Sequence, residues 1–403
     1  QITFTYVSAD ADKGTVTGTT SEVATTYEIT RDSVTGEIIV GNGPTAQHPT
    51  QPSTVTAKAG YKFDKWTDED QKSFDDDAAL KAASYLEDQT FTAHFTATEQ
   101  TYRVKYLDED KNVEIRDMSD PRDAHFGDEI KGYTEKIEIS GYTFVRADDL
   151  TVGTDNEQNI VNVYYSKDTN EDDIPDKYQI TFTYVSADAD KGTVTGTTSE
   201  VATTYEITRD SVTGEIIVGN GPTAQHPTQP STVTAKAGYK FDKWTDEDQK
   251  SFDDDAALKA ASYLEDQTFT AHFTATEQTY RVKYLDEDKN VEIRDMSDPR
   301  DAHFGDEIKG YTEKIEISGY TFVRADDLTV GTDNEQNIVN VYYSKDTNED
   351  DIPDKYQITF TYVSADDDKG TVTGTTSEIA TVYEIFRDSE TGEITELGPQ
   401  TPQ

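Results

Sequence analysis

The amino-acid sequence predicts a β-rich α+β protein that is built from small domains in tandem. Two observations support this prediction. The 403 residues include 24 Tyr and 16 Phe together with many Thr, Val and Ile, which are residues that strands favour and disordered chains lack. The sequence also repeats itself at a fixed offset of 178 residues, so one architecture is used more than once.

The composition excludes several classes of function. The net charge is −45, and so acidic a surface repels nucleic-acid phosphates and anionic lipids. No stretch approaches the roughly 18 consecutive apolar residues of a membrane span. The chain has no Cys, which removes disulfides, thiolate metal sites and cysteine nucleophiles. We therefore expect no nucleic-acid partner and no membrane insertion. Without a signal peptide or an anchor pattern, the sequence is expected to be a segment of something longer.

The repeat is unusually regular. Residues 1–178 and 179–356 are identical, loops included. Surface loops tolerate change, so identity at every position indicates recent duplication rather than a folding constraint. A third, partial copy covers residues 357–403 and departs from the first at Asp367, Ile379, Val382, Phe386 and Glu390. An enzyme gains little from linked copies, whereas a chain that provides reach gains with copy number, so we expect a non-enzymatic protein.

The first part of each repeat, residues 1–98, has strand periodicity. Ile2, Phe4 and Tyr6 alternate with Thr and Val residues. A hairpin turn is predicted at Thr35-Gly36, and Gly and Pro predict a loop from Gly41 through Pro52. The other predicted strands are 15–17, 23–30, 37–40, 53–58 and 90–96.

One helix is predicted in this part, over residues 75–86. Ser73 is the predicted cap, and acidic residues in the first turn suit the helix dipole. Ala79, Ala83 and Leu86 would share one face. Many strands around a single helix indicate an α+β domain of the β-grasp kind.

The second part of each repeat, residues 99–167, predicts a smaller domain. Its β stretches are 102–106, 137–145 and 160–165, and the turn 107–111 follows the first of them. About 70 residues suffice to fold without disulfides but lie near the lower size limit.

The two parts resemble two known families. The segment 60–66, GYKFDKW, ahead of a short helix and the strand 91–95, FTAHF, resembles the Listeria and Bacteroides repeat, the internalin B-repeat type. The segments 104–110 (VKYLDED), 141–145 (GYTFV) and 161–165 (VNVYY) resemble the mucin-binding protein (MucBP) repeat. Both resemblances imply β-grasp-like modules in stalks of bacterial surface proteins, beneath an adhesive tip and often anchored to the cell wall. They imply an extracellular location.

The resulting domain assignment alternates the two types. B-repeat-like domains are expected at 1–98 and 179–276, MucBP-like domains at 99–167 and 277–345, acidic joints at 168–178 and 346–356, and a partial third repeat at 357–403.

The acidic joints predict calcium binding. Oxygen ligands at positions 1, 3 and 5 of a short loop, a carbonyl at 7 and a further carboxylate are how such a loop wraps Ca²⁺. The predicted ligands are Asp168, Asn170, Asp172, the carbonyl of Ile174 and Asp176, and in the second joint Asp346, Asn348, Asp350, the carbonyl of Ile352 and Asp354. The loop resembles those of thrombospondin type 3 and dockerin-like repeats, although Asp173 stands where these usually carry Gly. A solvated acidic linker is the alternative.

Other site chemistry is missing from the sequence. His48, His94 and His125 have no metal-ligand spacing, and no catalytic or cofactor-binding residue stands out. Trp66 with Tyr61 would form either a glycan-stacking platform or part of the core, and the core is the more common role of such a Trp.

The expected function is therefore a structural stalk, an elongated rod of domains arranged as beads on a string that projects a binding tip. One alternative is a mucin- or glycan-binding module acting by avidity, which would make a host glycoprotein or mucin the partner. Another is a filament subunit that self-associates through residues 357–403, where an incomplete core would accept a strand from another chain.

Overall fold

A computed structural model of the chain describes residues 1–50, 54–228 and 232–400. It confirms a β-rich protein of repeated small sheet domains. The chain divides into two compact units, one of residues 1–179 with 203–223 and the other of 180–202 with 224–403. The predicted end of the loop at Pro52 and the predicted strand start at Ser53 lie outside the described residues.

The first domain is built on a mixed sheet of order β3-β1-β9-β7-β8, in which β1 and β9 are parallel and the other pairs antiparallel. Two small antiparallel pairs, β2 with β6 and β4 with β5, complete it. The strands are β1 (Ile2–Ser8), β2 (Gly14–Thr17), β3 (Ser21–Ala24), β4 (Ile29–Arg31), β5 (Ile38–Val40), β6 (Thr54–Ala57), β7 (Tyr61–Thr67), β8 (Ser73–Phe74) and β9 (Gln89–Ala97).

Alternation along β1 produces the core as predicted. Phe4 and Tyr6 are fully buried and pack on Phe91 of the neighbouring strand, with ring centroids 5.8 and 5.5 Å apart. Trp66 is fully buried beneath Tyr6, and its indole N–H donates to Asp77 Oδ1 at 3.0 Å. Burying each such aromatic side chain contributes about 1.5–3 kcal/mol.

The predicted helix is correct in place but wrong in extent. The helix α1 spans Asp77–Ala82, and its cap is Asp76, whose carboxylate accepts from the Ala79 amide at 2.7 Å, rather than Ser73, which lies in β8. A side-chain oxygen at this position accepts from a backbone N–H of the first turn that has no partner within the helix. Ala83 is already extended, because the next residues turn back to pair Tyr85 with Gln47.

The buried face of this helix also differs from the prediction. Leu80 is fully buried, whereas Leu86, beyond the helix end, is 51% exposed. The six helical residues bury a single apolar side chain, Leu80, in the core. The predicted shared face of Ala79, Ala83 and Leu86 is therefore wrong.

The predicted strand 23–30 is two strands. β3 ends at Ala24 and pairs with β1, whereas β4 begins at Ile29 and pairs with β5. The hairpin turn is confirmed: Gly36 has a φ of 72°, and Asp32 Oδ1 accepts from the amides of Val34 and Thr35. This hairpin stands apart from the main sheet.

The second domain has a sheet of order β11-β10-β16-β14, with β12 also paired to β10 and a small β13–β15 pair. β10 and β16 are parallel. The elements are β10 (Glu99–Asp108), β11 (Val113–Arg116), β12 (Arg122–His125), β13 (Glu129–Ile130), β14 (Tyr142–Ala147), β15 (Leu150–Thr151), β16 (Ile160–Lys167) and a 3-10 helix (Gly132–Glu135).

The predicted β stretch 137–145 starts too early, because β14 begins at Tyr142. Residues 137–139 instead follow the 3-10 helix, and the backbone of Ile137 both donates to and accepts from the Tyr165 hydroxyl at 2.9 Å. The core gathers Val104, Val161 and Val163, all fully buried.

The two domains of the first repeat meet almost without a linker. β9 ends at Ala97 and β10 begins at Glu99. Tyr61 packs edge-on against Phe126 with centroids 5.3 Å apart, and Phe126 covers Gly60, where a Cβ would fall 2.4 Å from the ring.

The second repeat has the same two sheets, of orders β19-β17-β25-β23-β24 and β27-β26-β32-β30. Its elements are β17 (Gln179–Ser186), β18 (Gly192–Thr195), β19 (Ser199–Thr203), β20 (Ile207–Arg209), β21 (Ile216–Val218), β22 (Thr232–Ala235), β23 (Tyr239–Thr245), β24 (Ser251–Phe252), α2 (Asp255–Ala260), β25 (Gln267–Ala275), β26 (Glu277–Asp286), β27 (Val291–Arg294), β28 (Arg300–His303), β29 (Glu307–Ile308), a 3-10 helix (Gly310–Glu313), β30 (Tyr320–Ala325), β31 (Leu328–Thr329) and β32 (Ile338–Lys345).

The partial third copy forms two antiparallel pairs, β33 (Gln357–Thr361) with β34 (Ser377–Thr381) and β35 (Tyr383–Arg387) with β36 (Ile394–Pro399). Its sequence departs further from the first copy over residues 395–400, where TELGPQ replaces IVGNGP. The segment therefore keeps the strand pairs that β17 forms with β19 and β20 forms with β21 in the second repeat.

Candidate functional site

The acidic joint starts from a buried carboxylate. Asp168 follows β16 directly and is only 2% exposed. Its two oxygens accept from the amides of Asp172 and Asp173 at 3.2 and 3.0 Å, and its own amide donates to the Gly141 carbonyl at 2.9 Å. Burial raises the pKa of Asp168 above its ordinary value, although the amide donors oppose this shift. The loop thus holds a negative charge where solvation is poor.

The loop around this carboxylate is tightly wound. Glu171 and Asp173 both adopt positive φ, 55° and 68°. Asp173 therefore takes a left-handed conformation, which Gly adopts most easily and which Asp tolerates better than most residues do. A 3-10 helix, Asp176–Tyr178, ends the joint after Pro175.

The side chains of the remaining predicted ligands make hydrogen bonds within the loop. Asp176 accepts from the Thr169 amide at 2.8 Å and from its hydroxyl at 2.6 Å. Asp172 accepts from Asn170 Nδ2 at 3.0 Å and from the Ile174 amide at 3.0 Å. Within the described ranges, no three His, Asp or Glu side chains are grouped so that they could hold a metal ion. The oxygen donors suit Ca²⁺ chemically, and calcium binding stays a prediction.

The second joint repeats this geometry. Asp346 is buried, accepts from two loop amides and likewise has a pKa raised by burial. The other side chains form the same bonds, Thr347 to Asp354 and Asn348 to Asp350, and the Ile352 amide donates to Asp350.

A lysine ties the joint to the domain before it. Lys177 Nζ lies 2.6 Å from Asp110 Oδ1 and 3.3 Å from Glu109 Oε2. Burial would raise the pKa of Asp110, but the bonds from Lys177 and from Ser166 outweigh it and hold this pKa below the ordinary value. Arg146 adds a bond to Glu109 at 2.9 Å.

The sequence did not reveal the main contact at the joint. The β20–β21 hairpin of the second repeat belongs to the first compact unit and docks on its second domain. Arg209 donates from Nη2 to Thr143 Oγ1 at 2.7 Å and to the Asp173 carbonyl at 2.6 Å. From Nη1 it donates to the carbonyl of Phe144 at 2.8 Å. One guanidinium thus joins the hairpin, β14 and the acidic loop.

Two further polar contacts flank this arginine. Lys136 Nζ donates to the Thr213 carbonyl at 3.2 Å and lies 5.0 Å from the Phe144 ring centroid. Glu215 Oε1 accepts from the Ala147 amide at 3.1 Å. We call the docking surface the acceptor face; it comprises Lys136, Thr143, Phe144, Ala147 and Asp173.

The hairpin of the third copy docks in the same way within the second unit. Arg387 donates to Thr321 Oγ1 at 3.1 Å and to the Asp351 carbonyl at 2.6 Å, as Arg209 does in the first unit. The flanking contacts recur from Lys314 to the Thr391 carbonyl at 2.8 Å and from the Ala325 amide to Glu393 at 3.1 Å. The acceptor face of this unit comprises Lys314, Thr321, Phe322, Ala325 and Asp351.

A signal for this contact was present in the repeat comparison. In the third copy the residues around the arginine change, to Phe386 and Glu390, while Arg387, Thr391 and Glu393 keep the identity they have in the complete copies. Arg387, Thr391 and Glu393, which make the docking contacts, are thus among the residues retained in the third copy.

The other candidate residues lie in structural roles. Trp66 is fully buried, as expected for a core residue, and offers no glycan-stacking surface. His48 contacts the Ala83 carbonyl at 2.7 Å, His94 the Thr67 hydroxyl at 2.9 Å, and His125 lies 3.7 Å from Asp128.

No protein-family model matches the chain, and neither does any curated protein. Across the described residues, none of the helices has the length and apolar character needed to cross a membrane.

Proposed function

We propose that this chain is a non-enzymatic stalk segment of a bacterial cell-surface or secreted adhesin. Its domains would be β-grasp-like modules of the B-repeat and MucBP types, arranged as beads along an elongated rod that projects a binding tip. The observation that supports this most is the docking of each following repeat's hairpin on the preceding acceptor face through Arg209 or Arg387.

The hairpin gives consecutive repeats a second attachment. A single acidic linker would allow the repeats to move independently, which is the default for domains joined by one exposed segment. The hairpin belongs to the next repeat, yet it bonds to the preceding joint through Arg209 and Asp173. Lys177, at the end of that joint, is paired with Asp110 of the preceding domain. Hydrogen bonds from charged donors contribute about 1.5–3 kcal/mol each where water is excluded. We infer that such a joint would resist bending, as a stalk requires.

Calcium would stiffen the same joints. The residues that would hold it are the predicted ligands of the loops 168–176 and 346–354. The buried carboxylates of Asp168 and Asp346 provide the negative charge that a bound divalent cation would neutralise. Because Arg209 bonds to the carbonyl of Asp173 in this loop, a stiffer loop would also hold the hairpin more firmly.

Charge and length fit the same function. A net charge of −45 keeps neighbouring stalks apart and limits misassembly of identical adjacent domains. Strands of about ten residues at about 3.3 Å each, with their turns, give a domain long axis of about 40 Å. Four domains and a partial fifth would then extend about 150–200 Å.

Small-angle X-ray scattering tests the stalk proposal. We expect a maximum dimension of about 150–200 Å in excess calcium, and a shorter, more flexible particle in chelator. The matched variant Asp168→Asn/Asp346→Asn should resemble the chelated wild type in both conditions. An extended particle whose dimension is the same with and without calcium would support the stalk and contradict calcium binding at the joints. A compact particle in both conditions would contradict the stalk.

A further inference from the structure

A cavity lies within each compact unit where the docked hairpin meets the acceptor face. Its volume is about 410 Å³ in the first unit and about 460 Å³ in the second. Both volumes fall in the range of small-molecule sites. Equivalent residues line the two cavities, and in the first unit they include Lys136, Ile137, Tyr142, Phe144, Tyr165 and Arg209. The same space therefore recurs at both docked joints.

Two cations line the cavity of the first unit without an anionic partner. Among the residues that the structure describes, Lys136 and Arg209 donate only to uncharged oxygens, and neither forms an ion pair. Lys177 and Arg146 of the same joint, in contrast, lie 2.6 and 2.9 Å from carboxylate oxygens. Carbonyl and hydroxyl acceptors satisfy hydrogen bonds but leave the net positive charge in place.

The hairpin backbone holds these two cations next to each other. Lys136 donates to the Thr213 carbonyl at 3.2 Å, and Arg209 donates to the next carbonyl, that of Gly214, at 2.8 Å. A Cβ at Gly214 would fall 2.6 Å from Lys136 Nζ, so the glycine lets the ammonium approach. Like charges on consecutive carbonyls repel each other, and an anion between them would remove that repulsion.

The carboxylates of this region do not fill the role. Asp210 accepts from two hairpin amides, and Glu215 accepts from the Ala147 amide. Glu138 and Asp173 also line the cavity, but both side chains are exposed, and it is the backbone carbonyl of Asp173 that Arg209 contacts. The two cations thus remain uncompensated in a chain whose net charge is −45.

The second unit repeats the arrangement. Lys314 donates to the Thr391 carbonyl at 2.8 Å, and Arg387 donates to the carbonyl of Gly392 at 3.0 Å. Within the described part of the chain neither cation has an ion pair, whereas Lys355 of the same joint lies 2.9 Å from a carboxylate oxygen. The uncompensated pair is therefore a recurring property of the docked joint.

The rest of the cavity wall is apolar or aromatic. Phe144 is buried, with its ring centroid 5.0 Å from Lys136 Nζ, and Ile137 and Tyr142 are half-buried. The Tyr165 hydroxyl already donates to and accepts from the backbone of Ile137. A molecule that suits this wall has one anionic group and an apolar body.

We propose that each cavity binds a small organic carboxylate. Its anionic group would lie between Lys136 and Arg209 in the first unit and between Lys314 and Arg387 in the second, and its ring or short apolar body would pack on Phe144 or the equivalent Phe322. Because the arginine belongs to the hairpin and the lysine to the acceptor face, the ligand would bridge them and hold the hairpin docked. The site rests on the docked hairpin and does not depend on the stalk function.

Calorimetric titration of the full chain with benzoate, at constant ionic strength, tests this site. We expect saturable binding of benzoate, weaker binding of sulfate, which has charge but no apolar body, and no binding of benzamide, which has the ring without the charge. Lys136→Met/Lys314→Met removes both ammonium groups from exposed side chains and keeps their alkyl packing. It should weaken benzoate binding by about tenfold or more.

Hydrogen exchange locates the bound ligand. With benzoate at about ten times its dissociation constant, exchange of the amides in 203–223 should slow by about tenfold, because the ligand binds only the docked hairpin. The amides of β7, which lie outside the cavity, should exchange at an unchanged rate.

Three results would overturn the proposal: no saturable binding of benzoate, binding of benzamide or sulfate as tight as that of benzoate, or binding that the paired methionine variant leaves unchanged. If that variant loses its native melting transition, Lys136→Gln/Lys314→Gln replaces it. Glutamine keeps a donor for the hairpin carbonyl without the charge, and the same loss of benzoate binding is expected.

Discussion

The segments 179–184 and 357–362 have the same sequence, QITFTY, but lie in different environments. Ile180, Phe182 and Tyr184 are 4%, 0% and 1% exposed, while Ile358, Phe360 and Tyr362 are 44%, 45% and 48% exposed. Their strands, β17 and β33, each pair on one side with a following strand, β19 or β34. The difference is therefore in tertiary partners, because local sequence and local pairing are the same.

The missing partners lie far along the chain. In the complete repeat, β25 lies parallel to β17, and Phe182 packs on Phe269 with ring centroids 5.8 Å apart. Trp244 covers Tyr184 at the same distance. The third copy stops short of the equivalents of both elements. An alternating strand is thus a necessary condition for this core but not a sufficient one.

The largest expected effect comes from removing the same side chain in the two environments. Phe182→Ala should destabilise its domain by about 3–5 kcal/mol, because it leaves a cavity in a close-packed aromatic core. Phe360→Ala should change the unfolding free energy by less than about 0.5 kcal/mol, as exposed substitutions do. Urea denaturation of the two variants measures the difference, and equal losses would show that β33 is buried in solution.

The paired arginines give an intermediate effect. Arg209→Ala removes three hydrogen bonds to the acceptor face and should destabilise the docked hairpin by about 1.5–3 kcal/mol. Arg31→Ala removes one exposed local bond and should be close to neutral. Hydrogen exchange of the amides in 203–223 and 26–44 reports each hairpin separately. A faster-exchanging 26–44 segment in Arg31→Ala, equal to the effect at Arg209, would contradict the docking.

The pKa values of the buried aspartates in the two joint loops should differ least, because the contacts of each loop are local. Burial raises the pKa of both Asp168 and Asp346, although one joint precedes a complete domain and the other a partial one. A raised folded-state pKa means that the charged carboxyl opposes folding at neutral pH, and that this cost disappears as the pH falls below the ordinary value of 3.8. If the loops bind calcium as proposed, protons would compete with it at a higher pH than at an ordinary aspartate.

Carboxyl carbon NMR titration measures these two pKa values directly. We expect the same midpoint at both joints, and the calcium affinity measured by calorimetry should fall as the pH falls through it. Asp32 and Asp210 are the matched controls, because hairpin amides lower their pKa. Different midpoints at the two joints would show that the partial domain alters its loop.

Much of the fold could be predicted from the sequence where the cause is local. Alternation located β1, and Thr35-Gly36 located the turn whose Gly36 needs a positive φ. The errors arose where a remote contact decided the outcome. The helix ends at Ala82 because Tyr85 pairs with Gln47, nearly forty residues away.

The candidate site follows the same rule. Periodic oxygen-bearing side chains marked the joint from Asp168 to Asp176, a local pattern, and the loop does wind tightly around Asp168. The docking of Arg209 on Thr143 was not predicted, since 66 residues separate them and neither lies in a recognisable motif.

By itself, the sequence determined the repeat, the strand periodicity, the turn chemistry and the acidic loops, because each depends on residues a few positions apart. Only the tertiary structure decided which of three identical strands is buried and which of three identical arginines is bonded across a joint. Burial and long-range hydrogen bonds require a partner surface, and whether that surface is present is a property of the assembled chain rather than of the segment that needs it.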